Sequence, residues 1–334
     1  MSLRVTLGIV AKNEEENIAS TLESITAQEF NHSYEVIVVD GNSTDKTREI
    51  SENLLKSSGI PYKVLNEADF GFHGLCFARN LVIDKSDPAS GYIAFTDADC
   101  IVAKDWLQKL YDSMEGTDGD IAGAGGPRLI AETNNKKELV INSFLTSFLA
   151  SGGNSAFSKR RVRFIKSIAN YNTIYKKEII SKFRYDEELI ISDDNELNFR
   201  LQRAGYKFLY VPDARVWHRE TDSILEFARN MFSYGVNISN TVRKHRSMVR
   251  INVPVTVAFL VYLILVTPLY LWMGILALVP LILYLIFAIS VFFEISLKTK
   301  TFYSLMVFLL LPIQHLAYGL GVLYNLVLNS SNKR

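Results

Sequence analysis

Cysteine is scarce in this sequence of 334 residues, which contains Cys76 and Cys100 and no other cysteine. Two thiols provide no disulfide framework, and their separation fits no zinc-binding spacing. Lysine and arginine total 36 against 35 acidic residues, so the formal net charge of +1 gives no indication of nucleic-acid binding. The sequence also lacks G-x-x-x-x-G-K-[ST] and a strand-linked G-x-G-x-x-G, which argues against a P-loop and a dinucleotide-binding turn.

Charged residues are absent from one long segment. Residues 251–293 contain no Asp, Glu, Lys, Arg or His. This run has about twice the length that one membrane-crossing helix needs. Pro268 and Gly274 provide a turn near its middle, and a second apolar run covers 302–328. The sequence therefore predicts about three transmembrane helices within residues 252–330.

Cations that flank the predicted spans give their orientation. The juxtamembrane segment 241–251 is basic, and Lys298 and Lys300 lie between the second and third spans. Because basic loops remain on the cytoplasmic side, both places are expected to be cytoplasmic. Lys333 and Arg334 would then lie on the non-cytoplasmic side, which conflicts with the same rule. The start of the sequence, MSLRVTLGIV, lacks the apolar stretch of a signal peptide, so residues 1–240 are expected to form a cytoplasmic domain of a multi-pass protein of the cell membrane.

Residues 1–240 alternate short β-branched runs with helical patterns. The strand-like runs are RVTLGIV at 4–10, YEVIVVD at 34–40, YKVLN at 62–66 and GYIAFTD at 91–97. The spacing of apolar residues predicts a helix over 14–28, and Ser43 or Thr44 is placed to cap a second helix that runs to about Leu55. This alternation predicts an α/β fold with a mostly parallel sheet and helices on both of its faces.

Polar residues follow the ends of three predicted strands. Asn13 and Glu14 follow the first strand, Asp40 ends the second, and Asp97 and Asp99 follow the fourth. Ligands of parallel sheets bind beyond the carboxyl ends of the strands, so these residues are expected on one rim. Structural carboxylates scatter over helix surfaces, whereas these converge, which favours a functional site.

The pair Asp97 and Asp99 suits a metal ion. Side chains two apart on an extended chain share a face, and carboxylates are costly to desolvate unless they meet water, a basic partner or a metal. Oxygen ligands without thiolates favour magnesium or manganese. A strand-end turn with solvated acids is the alternative. Their expected position on the rim with Asp40 favours the metal.

Two further residues of this half could contact a nucleotide. Asp40 could accept hydrogen bonds from a nucleobase or ribose, or could simply stabilise its own turn. Arg79 could pair with phosphate oxygens, or could form an ordinary surface ion pair.

The stretch ISDDNELNFRLQRAG at 191–205 predicts a helix with Leu197 and Leu201 facing a core. Asp193 and Asp194 lie at its start, where the helix dipole favours negative charge. Capping explains one acid, and the other is available as a general base toward an acceptor hydroxyl. Further along, His218 ends the strand-like KFLYVPDARVWH; a single histidine of this kind is more often structural than a ligand.

The ordered motifs VAKNEEENIASTLESI, VVDGNSTDKT, ARN, TDADC, SDDNELNFRLQRAGYKFLYVPDARVWH and FARNMFSYG resemble those of the family 2 glycosyltransferases, which have the GT-A fold. The resemblance covers about residues 4–240. It implies that Asn13, Glu14 and Asp40 lie at the nucleotide of the donor, with Arg79 nearby.

The same resemblance assigns the metal and the base. Asp97 and Asp99 match the D-x-D motif, whose divalent Mn²⁺ or Mg²⁺ bridges the diphosphate of the donor, and His218 corresponds to a histidine that approaches this metal. Asp194 matches the second acid of the E-D motif and is the expected base, with Asp193 in place of the usual glutamate. The implied reaction inverts the anomeric centre in one displacement.

The region that corresponds to the Q-x-x-R-W motif of processive synthases reads RNMFSYG, so transfer of a single sugar is favoured. A cytoplasmic transferase domain followed by membrane helices is similar to enzymes that glycosylate polyprenyl phosphate or a lipid-linked saccharide. The expected partners are a nucleotide sugar, with a UDP-sugar as first choice, a lipid acceptor and the membrane. The alternatives are a processive polysaccharide synthase, a nucleotidyltransferase and a non-catalytic binding module.

Overall fold

The computed structural model describes residues 3–71, 74–150, 162–189, 193–219, 221–249 and 252–328. The chain forms two compact units, Met1–Ala131 with Ala156–Arg219, and Glu132–Ser155 with Glu220–Arg334. This division differs from the expected boundary at residue 240.

The strands are β1 (Leu3–Ala11), β2 (Ser33–Asp40), β3 (Tyr62–Asn66), β4 (Tyr92–Asp97), β5 (Cys100–Val102), β6 (Ile121–Gly125), β7 (Arg128–Ile130), β8 (Arg163–Ile165), β9 (Thr173–Lys176), β10 (Lys207–Tyr210) and β11 (Val216–His218). The helices are α1 (Ile18–Thr26), α2 (Thr47–Ser58), α3 (Leu75–Lys85), α4 (Trp106–Met114), α5 (Lys136–Leu145), α6 (Lys177–Phe183), α7 (Asp193–Arg203), α8 (Ile224–Lys244), α9 (Asn252–Met273), α10 (Val279–Thr299) and α11 (Val307–Leu328).

The main sheet of the first unit has the strand order β3-β2-β1-β4-β9-β6-β10-β8. β1 pairs in parallel with β2 and β4, β2 with β3, and β6 with β10, whereas β9 is antiparallel to its two neighbours and β8 is an antiparallel edge strand. Ala11 pairs with Asp40, and Val10 pairs with Asp97. The parallel pairing therefore brings the ends of β1, β2 and β4 to one rim, as the sequence predicts.

Helices cover both faces of this sheet. One apolar cluster contains β1 side chains with Leu22 of α1 and Leu110 of α4, and the other contains Val82 of α3 with Leu197 and Leu201 of α7. The predicted core face of α7 is confirmed, since both of its leucines are fully buried.

The second unit contains the apolar helices. The segments Val253–Thr299 and Phe302–Leu326 are long and apolar enough to cross a membrane, by length and composition. The first of them is divided into α9 and α10 by a 3₁₀ turn, Gly274–Leu278. The rings of Phe259 and Tyr284 stack with their centroids 4.7 Å apart. On one straight helix these residues would lie roughly 37 Å apart, so the chain reverses direction at this turn.

Two glycines bring the backbones of α8 and α11 into contact. A Cβ atom at Gly321 would lie 2.1 Å from the carbonyl oxygen of Phe232, and one at Gly235 would lie 2.0 Å from the carbonyl oxygen of Tyr318. Backbone atoms cannot move aside as a flexible side chain can. The two helices therefore pack at a distance that only glycine permits.

We expect Gly321→Ala to force α8 and α11 apart and to lower the free energy of unfolding by about 1–3 kcal/mol, the usual cost of overpacking. Thermal unfolding of the detergent-solubilised chain measures this loss. Gly119→Ala is the matched control, because a Cβ atom there meets nothing within 4 Å. Equal melting temperatures for the two variants would contradict the close contact.

Candidate active site

The loops after β1 and β2 are joined by hydrogen bonds. The Asn13 N–H donates to the Ser43 Oγ at 2.9 Å, and the Asn13 Oδ1 accepts from the Thr44 N–H at 2.8 Å. The Glu14 N–H donates to the Thr47 Oγ1 at 2.7 Å. The expected cap of α2 by Ser43 or Thr44 is wrong: α2 begins at Thr47, because Ser43 and Thr44 are bonded to the neighbouring loop.

Asp40 ends β2 beneath these loops and is almost fully buried. Its Oδ2 accepts a hydrogen bond from the Ser43 N–H at 3.0 Å, as in the expected turn. Its Oδ1 is buried and has no hydrogen-bond partner within the described ranges of the chain. An unsatisfied buried carboxylate oxygen is costly, so this atom is suited to accept an N–H or O–H group from a ligand.

Arg79 is buried, and its Nη2 lies 3.3 Å from the Asp97 Oδ1. Its guanidinium carbon lies 5.5 Å from the ring centroid of Phe95 and 5.9 Å from that of Tyr185. The Asn80 side chain holds Tyr185 in place by bonding both its backbone N–H and its C=O at 2.9 Å. Arg79 is therefore a fixed cation beside Asp97 and not a solvated surface residue.

A second sheet brings His218 to the D-x-D segment. Its strand order is β5-β11-β7, and in the antiparallel pair of β11 with β5, His218 lies opposite Cys100. The His218 Nε2 lies 3.4 Å from the Asp99 Oδ1, and the His218 Nδ1 lies 2.6 Å from the Arg219 C=O. A neutral imidazole that donates from Nδ1 to this carbonyl keeps a lone pair on Nε2, directed toward Asp99.

Potential metal-ligating atoms of Asp99, Cys100 and His218 lie within 4.8 Å of one another. Burial raises the pKa of the Cys100 thiol well above its usual value, and magnesium and manganese prefer oxygen ligands to thiolates. Burial also raises the pKa of Asp99, with a further contribution from Asp97.

Burial lowers the pKa of His218, and Arg128 adds to this shift. A neutral imidazole beside a carboxyl group fits a divalent cation, which would bind the carboxylate form of Asp99 and displace its proton. Glu14 lies close enough that Asp99 and His218 both act on its charge, while burial raises its pKa.

Asp194 lies in the first turn of α7, and its Oδ1 accepts from the Asn195 N–H at 2.6 Å. Burial is the main cause of the raised pKa of Tyr171, and Asp194 and Asp97 both raise it further. The Tyr171 ring meets the His218 ring edge to face at 5.8 Å. The charge of Asp194 therefore acts on Tyr171, which contacts His218 of the rim. Asp193 begins α7, and its side chain lies outside the described part of the chain.

Sequence analysis missed Arg128 and Tyr171. Arg128 begins β7, which pairs in parallel with β11, and its charge acts on Asp99 and His218. The local signal in the sequence is the pair of glycines before Arg128. A Cβ atom at Gly126 would lie 1.9 Å from the Ala214 carbonyl oxygen, so the two backbone segments approach closely there. Neither residue belongs to a motif that indicates chemistry by itself.

Comparisons with known proteins agree with this architecture. A family model described as "Glycosyl transferase family 2" matches residues 6–184. Across 271 residues the chain is 24% identical to a Methanococcus voltae protein, covering 79% of this chain and 82% of that protein. Its name is dolichyl N-acetyl-alpha-D-glucosaminyl phosphate 3-beta-D-2,3-diacetamido-2,3-dideoxy-beta-D-glucuronosyltransferase. Glycosyltransferase AglE of Haloferax volcanii is 33% identical over 211 residues, which are 63% of this chain and 64% of AglE.

Among solved structures, the mannosyltransferase PcManGT from Pyrobaculum calidifontis, in complex with GDP-Man and Mn²⁺, aligns with a TM-score of 0.59 at 15% identity. The alignment covers 100% of this chain and 89% of PcManGT, and it shows a shared fold. The predicted GT-A-like α/β fold and the predicted enzyme class are confirmed. Because the family model matches more than half of this chain, the chain belongs to glycosyl transferase family 2.

Proposed function

We propose that this glycosyltransferase is metal-dependent and moves one sugar, with inversion, from a nucleotide sugar to a lipid-linked acceptor at the cytoplasmic face of a membrane. The observation that carries the proposal is the pairing of Asp99 with His218 on the rim that also holds the Arg79 and Asp97 ion pair. The Asp99 carboxyl group and a neutral His218 imidazole would suit a divalent cation, and the guanidinium fixed beside Asp97 would suit a diphosphate.

The nucleotide would lie against the loops after β1 and β2. Asn13 and Glu14 hold these loops together through their backbone and side-chain bonds, which fixes the space above Asp40. The Asp40 Oδ1, for which the described residues provide no hydrogen-bond partner, would accept from the base or the ribose. Arg79 would contact the diphosphate while Phe95 and Tyr185 keep its guanidinium in place.

Asp99 and His218 would hold the divalent cation, with Asp97 as a further carboxylate near it. When bound, Mn²⁺ or Mg²⁺ supplies stabilisation of the negative charge that develops on the departing diphosphate. Mn²⁺ is the first cation to test because the PcManGT complex contains it. Cys100 remains a buried thiol beside these ligands and takes no part.

Asp194 would accept the proton of the attacking acceptor hydroxyl. The need for this base depends on the acceptor, since a phosphate monoester is already ionised near neutral pH and a sugar hydroxyl is not. The name of the Methanococcus voltae relative includes a dolichyl-linked sugar phosphate, which supports a lipid-linked saccharide as the acceptor. The apolar segments Val253–Thr299 and Phe302–Leu326 are consistent with an acceptor in the membrane.

The proposal is tested by release of nucleoside diphosphate from a panel of UDP- and GDP-sugars, with and without polyprenyl phosphate or a lipid-linked saccharide. We expect one donor to be consumed and its sugar to appear on the lipid. GDP-mannose belongs in the panel because PcManGT binds it. Pyrophosphate release would indicate a nucleotidyltransferase, and long products would indicate a processive synthase. Folded protein in membrane lipid that consumes no donor would refute the proposal.

Asp194→Asn should lower transfer to a sugar hydroxyl by about 10²–10⁴-fold, the range that general bases supply, and should leave donor binding unchanged. With polyprenyl phosphate as acceptor the loss should be smaller. Rates with both acceptors and the Kd of the donor are measured in parallel. Asp105→Asn removes a half-exposed acid paired with Lys109 and serves as the control. A wild-type rate for Asp194→Asn with the hydroxyl acceptor would exclude Asp194 as the base.

Chelation should abolish transfer, and added Mn²⁺ or Mg²⁺ should restore it. His218→Ala and Asp99→Ala should raise the Mn²⁺ concentration needed for half-maximal activity by at least about 10-fold, because residues that only orient a metal ligand already contribute this much. Cys100→Ala removes the third member of the cluster and should keep the wild-type requirement. Full activity after exhaustive chelation would rule out metal dependence.

A further inference from the structure

Helix α11 is long enough to cross a bilayer, since its 22 residues extend over about 33 Å. A helix that crosses has its two ends on opposite sides of the membrane. The entry side is the side of the membrane on which α9 begins. The contacts of α11 within the second unit indicate which of its parts lie near the entry side.

The last turns of α11 lie beside the end of α8. The Asn325 side chain is fully buried, and its Nδ2 is within hydrogen-bond distance of the Val236 C=O at 3.0 Å and the Asn240 Oδ1 at 2.7 Å. The Arg243 guanidinium donates to the Asn325 C=O. Because α8 ends one residue later and α9 begins at Asn252, this part of α11 lies next to the entry point of α9.

The middle of α11 contacts the beginning of α9. A Cβ atom at Gly319 would lie 2.6 Å from the Leu260 Cδ1 and 3.4 Å from the Thr256 C=O, within the first turns of α9. If α11 crossed the membrane beside α9 in the same direction, this middle part of α11 would lie beside the middle of α9, farther from the entry side than Thr256. The contact is therefore on the entry side.

The start of α11 is on the same side. The ring of Phe308 stacks on that of Phe292 in the second half of α10, with centroids 5.3 Å apart, and α11 begins eight residues after α10 ends. α10 leads back from the turn at 274–278, so a crossing α9 and α10 pair returns the chain to the side from which it entered. Both ends of α11 then face the same side.

The composition of α8 supports this placement. α8 is in backbone contact with α11 at Gly235 and Gly321, yet it carries exposed Arg229, Arg243 and Lys244. An arginine at the centre of a bilayer costs about 2.5–3.5 kcal/mol on the lowest scales. A fully inserted α11 would draw these cations toward the hydrocarbon, whereas at the surface they meet water and head groups.

We propose that α11 does not cross the membrane but lies with α8 at the head-group boundary on the side where α9 enters, so that α9 and α10 form the one crossing hairpin. Leu320 and Tyr324, four residues apart on one face of α11, are about half exposed and would contact the lipid. This inference goes beyond the proposed catalytic function and does not depend on it. It also removes the conflict between the positive-inside rule and the cations that follow α11 in the sequence.

The test is cysteine accessibility in the full chain. Cys76 and Cys100 are buried, so the wild type gives a low background with a membrane-impermeant maleimide. Ser247→Cys marks the entry side, just before α9, and Ile275→Cys marks the turn between α9 and α10, where Ile275 is exposed. Leu326→Cys reports the end of α11. Each variant is labelled in membrane vesicles of both orientations, with denatured protein as the measure of full reaction.

We expect Leu326→Cys to react from the same side as Ser247→Cys, and Ile275→Cys to react from the opposite side. Reaction of Leu326→Cys from the Ile275 side would show that α11 crosses. Reaction from neither side, with full reaction after denaturation, would place its end inside the bilayer. Reaction of all three from one side would show that the hairpin does not cross. Each of these last three results overturns the proposal, and none of them depends on turnover of a nucleotide sugar.

Discussion

The antiparallel pairing of β5 with β11 is the constraint on which the candidate site depends. It sets His218 opposite Cys100 and directs the imidazole toward Asp99. β7 pairs with the other edge of β11 and brings Arg128 to the same group. Without this small sheet, the D-x-D segment would be a turn with two solvated acids, as one interpretation of the sequence allows. With it, a carboxylate and an imidazole come within ligand distance of each other.

Acids gathered on one rim repel each other and lose hydration, and the fold offsets this with fixed cations. Arg79, which lies against the rings of Phe95 and Tyr185, pairs with Asp97, and Arg128 acts on Asp99 from β7. The balance is incomplete, since the pKa of Asp99 remains raised. A bound divalent cation would offset this remaining electrostatic cost, which links the architecture of the rim to its proposed chemistry.

Much of the fold follows from the sequence, because β-branched runs and the carboxyl-end rule operate locally. The runs at 62–66 and 34–40 correspond to β3 and the body of β2, and the acids lie at the strand ends as expected. The roles of Ser43 and Thr44 could not be predicted, because their hydrogen-bond partners belong to a loop distant in sequence. Arg128 and Tyr171 were missed for the same reason. They reach the site through strand pairing and ring contact, which leave no spacing in the sequence.

The sequence by itself determined the α/β alternation, the chemistry of the rim residues and the presence of apolar helices, since each depends on residue type and periodicity. Tertiary structure decided which of these residues meet: Asp97 with Arg79, Asp99 with His218, and α11 with α8. Hydropathy indicates whether a helix is apolar enough to lie in lipid, but it does not indicate which other helices pack against it. The glycine contacts and the buried Asn325 supply that information, because backbone contact and hydrogen bonds between helices are properties of the folded chain.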